Sequence, residues 1–235
     1  MTPERLAGSP GPHAFVDSME HPVLDELDRG HFERSLRMRA GDALTFSDAR
    51  GGWCTGVLGE HGVIAPTGET QRVTRPEPLL TVAFSLVKGN KPEVVVQKLT
   101  ELGVDRIVAL AADRSVVRWD EAKAAKARGR WERIAREAAM QSHRVWIPEI
   151  VGVVGASTFL SEADQVALAH FDGAPIGATH HTIAIGPEGG WSDQELAHGH
   201  PRVALGDTVL RAETAAISAG VLLCAARRTQ RRDVG

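Results

Sequence analysis

The chain is poor in cysteine: Cys54 and Cys224 are its only two, too few for a disulfide framework or a zinc site. It lacks long apolar runs, none approaching the ~20 residues that span a bilayer. Its opening residues, MTPERLAGSPGPHAF, lack the basic-then-apolar pattern of an export signal, so a cytoplasmic location is expected. Neither the dinucleotide fingerprint nor the P-loop pattern is present, and no helix pattern places two histidines four apart. The pairs His180, His181 and His198, His200 have no acidic or cysteine partner at ligand-like spacing, so no metal is expected. A net charge of −3 does not by itself announce a nucleic-acid partner.

The 235 residues, 43% hydrophobic and 24% charged, have the composition of a soluble globular protein with one large domain or two small ones. The charge is uneven. Residues 1–78 carry 8 Lys+Arg against 12 Asp+Glu, a net of −4, whereas residues 113–144 carry 9 against 5, a net of +4. The tail adds Arg227, Arg228, Arg231 and Arg232. Basic patches on a near-neutral protein suit an RNA partner met on one face, although any single cation reads equally well as part of a solvated surface.

Residues 1–78 are rich in glycine, proline and turn signals, with β-compatible runs at 43–46, 53–58 and 62–65 and a hairpin turn at SDARGG. A small β-rich domain is expected there, ended by the linker Thr74 to Pro78, whose two prolines break regular structure. Residues 79–235 alternate in the β/α manner. LLTVAFSLV reads as a strand buried on both faces, and Pro92 opens a helix that Gly103 closes. VDRIVALAA is a strand, and 120–141 a helix rich in Ala, Lys, Arg and Glu. QVALAHF, HTIAIG and VALG are further strands, and a long helix runs from Ala212 to about Arg228. Ser192 and Glu195 form a capping box after the GPEGG loop. Pattern alone gives a mostly parallel α/β fold.

Two segments in the last quarter carry the chemistry: HTIAIGPEGGWSDQEL, from His181, and VALGDTVLRAETAAISAG, from Val203. In each, an apolar run ends at a glycine, a tight loop follows, and a helix-compatible stretch comes next. Such loops beyond the carboxyl ends of strands are where open α/β sheets hold ligands. Gly186 to Gly190 would let main-chain amides and carbonyls approach a ligand without side chains. Standing alone it also reads as a plain strand-to-helix turn. Glu188 either faces the ligand or bonds local amides. For Arg211 and Glu213 the structural alternative is a helix-start ion pair of little worth if exposed; for Thr214 it is a capping hydroxyl. Trp119, Trp131, Trp146 and Trp191 read first as core or interface residues.

These two segments resemble the RsmE family of RNA methyltransferases, in the SPOUT superfamily. Three further stretches are similar to that family in the same order: HFERSLRMRAGD from His31, KGNKPEVVVQKLTELGVDRIVAL from Lys88, and the central DRSVVRW and MQSHRVWIPEI. The resemblance implies a C-terminal α/β trefoil-knot domain at 79–235 and a small N-terminal PUA-like β-barrel domain at 1–78, although pattern reasoning would never propose a knot. It implies a homodimer that uses S-adenosylmethionine to methylate N3 of a specific uridine in 16S ribosomal RNA, either free or in an assembled small subunit. By the same resemblance Ile185, Gly186, Pro187, Glu188, Gly189, Gly190, Leu205, Gly206, Leu210, Thr214 and Ala215 hold the cofactor. Arg211 and Glu213 fall beside the transferred methyl.

The uridine imide must lose its proton, and the resulting charge spreads onto the ring carbonyls. A cationic donor would stabilise it, with Arg211 the first candidate and Arg114 the second; Glu213 is the only acid inside the motif able to take the proton. Arg34, Arg37, Arg39, Lys88, Lys91, Arg118 and Arg144 are candidate RNA contacts, while Leu36 and Met38 read as barrel core. His143 stands where the family more often has glycine or another small residue. Competing readings are a SPOUT enzyme acting on ribose hydroxyls or tRNA, a non-catalytic RNA-binding protein, and a nucleotide-binding α/β enzyme.

Overall fold

The computed structural model describes the backbone of residues 11–233 and side chains through Gln230. The chain's first residues and the side chains of Arg231 and Arg232 therefore lie outside the described residues. Two compact units are present: residues 1–76 with 136–147, and residues 77–135 with 148–235.

The first unit is built on a mixed sheet. β1 (His13–Phe15) runs parallel to β2 (Ala43–Ser47). The β2 strand pairs antiparallel with β3 (Gly52–Leu58), which in turn pairs with β4 (Ile64–Pro66) and the short β5 (Gln71–Arg72). The SDARGG turn joins β2 to β3 as the sequence predicts, with Ser47 opposite Trp53. Ala14, Leu44, Phe46, Leu58 and Ile64 fill the core with Phe32. Phe32 comes from a single π-helical turn, His31–Ser35, after the short helix α1 (Glu26–Gly30). That turn directs Phe32 inward (1% exposed) and leaves Leu36 39% exposed, so Leu36 is not the core residue expected, whereas Met38 does pack against the core.

Residues 136–147 join this unit through Phe15, Ala139 and Met140, and through Trp146, whose indole N–H donates to the Val73 carbonyl at 3.0 Å. The turn that leads into Trp146 explains the odd histidine. His143 has φ +52°, the left-handed region that a helix C′ residue adopts. The His143 and Arg144 amides donate back to the Met140 and Ala139 carbonyls at 3.1 and 2.8 Å, the paired bonds of a Schellman cap. Glycine takes this conformation without strain; here histidine does, with its ring stacked on His13 at 5.8 Å.

The second unit is a six-stranded sheet, all parallel, in the order β11-β9-β10-β6-β7-β8. The strands are β6 (Thr81–Ser85), β7 (Arg106–Ala111), β8 (Glu149–Gly155), β9 (Val166–Pro175), β10 (Thr182–Ile185) and β11 (Arg202–Ala204). The helices are α2 (Lys91–Leu102), α3 (Glu121–Gln141, which ends in the first unit), α4 (Ala156–Glu162), α5 (Asp193–Leu196) and α6 (Ala212–Asp233). Every residue of β6 is buried, as its unbroken apolar run predicts. Pro92 stands in the first turn of α2 and Gly103 caps it. The edge strand β8 and the helix α4 were not evident in the sequence: Gly152 and Gly155 interrupt the apolar pattern, and β8 is only half-buried. Buried Asp105 anchors the last helix: it accepts the Leu80 amide at 3.0 Å and pairs with Arg227, which also donates to the Gly103 carbonyl at 2.9 Å. No helix among the described residues is long and apolar enough to cross a membrane.

Candidate active site

The parallel sheet sends the loops after β6, β7, β10 and β11 from the carboxyl ends of its strands. Ile185, the last residue of β10, is 2% exposed. The chain then turns at once: the Gly190 amide donates to the Pro187 carbonyl at 2.9 Å, leaving Glu188, Gly189 and Gly190 exposed and Pro187 buried. Two of its glycines sit in close approach to their neighbours. A Cβ on Gly186 would sit 3.0 Å from the Trp191 indole, and one on Gly189 would sit 3.1 Å from the Arg114 carbonyl oxygen. Trp191 is 4% exposed and belongs to the sheet's core, which is the role its residue type suggests. The GPEGG loop is thus backed by a buried ring and by the loop after β7, with its outer main chain open.

Glu195 locks those two loops together. It is completely buried. Its Oε2 accepts the Ser192 amide at 2.7 Å, which closes the predicted capping box, and its Oε1 accepts the Asp113 amide at 3.0 Å. The Ser192 hydroxyl in turn donates to Asp113 Oδ2 at 2.5 Å. Arg114, next in the chain, lies 3.5 Å from the exposed Asp193 carboxylate. Arg118 donates to the Asp113 carbonyl at 2.6 Å, so its guanidinium ties the same loop.

The loop after β11 leaves Gly206 and Val209 exposed and Leu205 and Leu210 half-buried, and it leads through exposed Arg211 into α6. In the first turn of α6, Ala215 is buried and Thr214 is exposed. Thr214 lies inside the helix rather than at its cap. Glu213 accepts from Lys91 Nζ at 2.8 Å, with side-chain exposures of 19% and 40%. This hydrogen bond, helped by the Arg211 charge, holds the Glu213 carboxyl below its ordinary range. Its Oε2 is buried and accepts no hydrogen bond, which leaves one carboxylate oxygen unused. Among the described residues no carboxylate lies within ion-pair distance of Arg211.

A carboxylate with a lowered pKa gains from folding only while it is ionised. The Lys91–Glu213 pair therefore contributes stability above the ordinary glutamate pKa and loses it as pH falls through the lowered folded value. Lys91→Gln is expected to raise the Glu213 midpoint, measured by carbon-13 NMR of the side-chain carboxyl. The stability difference from wild type should be full at neutral pH and vanish in acid. An unmoved midpoint would show that Lys91 does not hold Glu213.

The remaining candidates divide between the two units. Arg34, Arg37 and Arg39 are exposed on the first, Arg34 donating to the Gly30 carbonyl at 3.2 Å; Arg144 belongs to the same unit and is half-buried. Lys88 is exposed between β6 and α2, and Lys91 is engaged by Glu213. The bond from Glu195 to Asp113 was not evident in the sequence, because the capping box alone already accounts for both residues of its pattern. Among the described residues no group of three or more His, Cys, Asp or Glu side chains is placed to hold a metal.

The glycine loop after β10 and the helix-entry loop after β11 leave the same edge of a parallel sheet with β9 between them, and a lysine-held carboxylate follows the second; this is an α/β fold with its candidate site at the carboxyl ends of the strands. The family model described as "RNA methyltransferase domain" matches residues 75–223. Ribosomal RNA small subunit methyltransferase E of Mycobacterium bovis is 31% identical over 83% of this chain and 82% of its own length. Its namesake from Synechocystis is 32% identical over 79% of this chain and 66% of its own. Among solved structures, a Legionella pneumophila methyltransferase with bound SAM has a TM-score of 0.78 at 30% identity, covering 91% of this chain and 97% of the other. Ribosomal RNA small subunit methyltransferase E from Neisseria gonorrhoeae, bound to S-adenosyl methionine, has a TM-score of 0.76 at 26% identity over 89% and 95%. The chain belongs to the RsmE family of RNA methyltransferases.

Proposed function

We propose that this protein transfers a methyl group from S-adenosylmethionine to N3 of a uridine in 16S ribosomal RNA. The observation that carries the reading is the closure of the GPEGG loop against the Arg114 loop, with Glu213 held by Lys91, in a chain matched to RsmE relatives over most of its length. The cofactor suits exposed residues at Glu188–Gly190 whose main chain can meet the polar edges of a nucleoside; Ile185, Gly186 and Pro187 in the first loop and Leu205, Gly206, Leu210, Thr214 and Ala215 in the second are the further residues assigned to it. When bound it supplies an activated methyl on a sulfonium. The chain's own task is then to position the uridine and to stabilise charge. Arg211, free of a carboxylate partner, is aimed at the carbonyl oxygen that becomes negative as N3 loses its proton. Glu213, held ionised by Lys91, is an acceptor for that proton through its unpaired Oε2 or through a water bound there. Arg114 is tethered through Asp193 and Gly189, which suits it to shaping the loop.

The same reading gives the rest of the architecture. Residues 79–235 form the methyltransferase domain, apart from 136–147, which pack in the first unit, with a trefoil knot around the two site loops; the sheet order, in which β10 lies between β9 and β6, supports it. Residues 1–78 form a PUA-like barrel that presents Arg34, Arg37 and Arg39 to RNA, and the mixed sheet supports that. The enzyme works in the cytoplasm as a homodimer, and exposed Val209 and Val221, at 90% and 46%, are apolar positions suited to a second copy.

The test is transfer of labelled methyl from S-adenosylmethionine to small ribosomal subunits lacking the modification, followed by nucleoside analysis. The expected product is 3-methyluridine. A 2′-O-methylated nucleoside would instead assign the enzyme to ribose chemistry, and absence of both transfer and cofactor binding would favour the non-catalytic alternative.

A further inference from the structure

The glycine loop and its neighbours account for the chemistry but not for the net charge of +4 over residues 113–144. Helix α3 carries Lys123, Lys126, Arg130 and Arg133, all exposed. Successive spacings of three, four and three residues place them in one row along the helix, because side chains three and four apart are neighbours about 5–6 Å from one another. The row is roughly 15 Å long at about 1.5 Å per residue. It lies away from the face that buries Trp131 and Ala135, and Glu137 ends it. The row is not a by-product of a basic composition, since the whole chain has a net charge of −3.

Its cations are weakly committed to the protein. Arg130 reaches Glu93 at 3.3 Å while its side chain remains 60% exposed. Lys123 lies over the Trp119 ring at 5.1 Å. Among the described residues neither Lys126 nor Arg133 has a carboxylate within ion-pair distance. The other arginine of this stretch, Arg128, is paired with Glu132 at 2.9 Å on a different face. The helix begins at Glu121, just beyond the loop that presses Arg114 against Gly189. A ladder of cations at intervals of one helical turn, on the helix that follows the Arg114 loop in the chain, is complementary to successive phosphates of one nucleic-acid strand.

We propose that the Lys123–Lys126–Arg130–Arg133 row of α3 is a phosphate-tracking surface that holds the backbone of RNA flanking the methylated nucleotide. This rests on the reading of the chain as an RNA methyltransferase. The row contributes affinity and register rather than base identity, because phosphates carry no sequence information.

The experiment measures binding of the full-length protein to small ribosomal subunits lacking the methyl mark, across a salt series. Lys126→Gln with Arg133→Gln removes the two cations that, among the described residues, have neither an ion-pair partner nor a ring contact, so folding should be unaffected and thermal unfolding should confirm it. Each lost phosphate contact should lower the slope of log K against log salt by about 0.7–0.9, so the double variant should lose roughly 1.4–1.8. Affinity for S-adenosylmethionine and methyl transfer at saturating subunits should match wild type. Lys126→Glu with Arg133→Glu should weaken binding further, and Arg128→Gln should leave the slope unchanged. An unchanged slope and affinity in the Gln and Glu double variants would overturn the proposal; the row would then serve something other than RNA, such as an acidic protein. The readout is binding, so wild-type protein that binds subunits with the full slope but transfers no methyl would refute the function and leave the row's role intact.

Discussion

Arg211→Ala is expected to reduce turnover by about 10²–10³-fold, the range found when a single donor to a developing oxyanion is removed, while S-adenosylmethionine binds as tightly as before. The argument is one of charge. Uridine N3 becomes nucleophilic only by giving up its proton, and the charge left behind resides mainly on the two ring carbonyl oxygens. A guanidinium beside one of them stabilises the transition state more than the neutral ground state, so its loss should appear in kcat rather than in KM for the RNA. Arg211 is suited to this because it is exposed at the entrance to α6 and, among the described residues, has no carboxylate within ion-pair distance. Arg114 faces the competing demand of Asp193 at 3.5 Å. Arg211→Lys should fall between the two, since it keeps the charge and loses the planar fork. Near-normal turnover by Arg211→Ala with tight cofactor binding would remove Arg211 from the mechanism.

The glycine loop, the helix-entry loop and the capping box were legible because each is a local pattern: an apolar run, a glycine, a helix-start signal. Structure kept those boundaries nearly unchanged, with α3 at Glu121–Gln141 and α6 from Ala212. What escaped was non-local. Glu195 looks complete as a capping residue, and nothing in the chain announces that its other oxygen takes an amide 82 residues away. Lys91 at a helix start reads as a phosphate contact until folding brings Glu213 within 2.8 Å. His143 was legible as an anomaly but not as a cause: only the backbone shows that its position needs a left-handed residue. Leu36 failed for a related reason, because a π-helical turn shifts which residue of HFERSL faces inward. Local preferences locate the elements, and the ties between distant loops decide which polar side chains are left free for chemistry.

Glu195 is the residue whose loss should cost most in stability. In Glu195→Ala the amides of Ser192 and Asp113 lose the acceptor that a completely buried carboxylate supplies. A buried donor left unsatisfied costs about 1–3 kcal/mol, and because both bonds are part-buried each loss should fall in the lower part of that range, about 2–4 kcal/mol of unfolding free energy for the pair, read from urea denaturation at constant m-value. Glu195→Gln retains one carbonyl oxygen but turns an amide N–H₂ toward the second donor, so it should lose roughly half as much; a glutamine still satisfies a capping box. The effect should reach the site as well. Asp113 and Ser192 flank the two loops that meet at Arg114 and Gly189, and releasing them lets the glycine loop leave the conformation it presents to cofactor. Weaker S-adenosylmethionine binding should therefore accompany the loss of stability, in the order wild type, Gln, Ala. Glu213→Gln provides the contrast: its partner Lys91 is 40% exposed, so water replaces the lost bond and stability should change little. If Glu195→Ala unfolded within about 1 kcal/mol of wild type, the two loops would have to be held by packing around Trp191 rather than by this carboxylate.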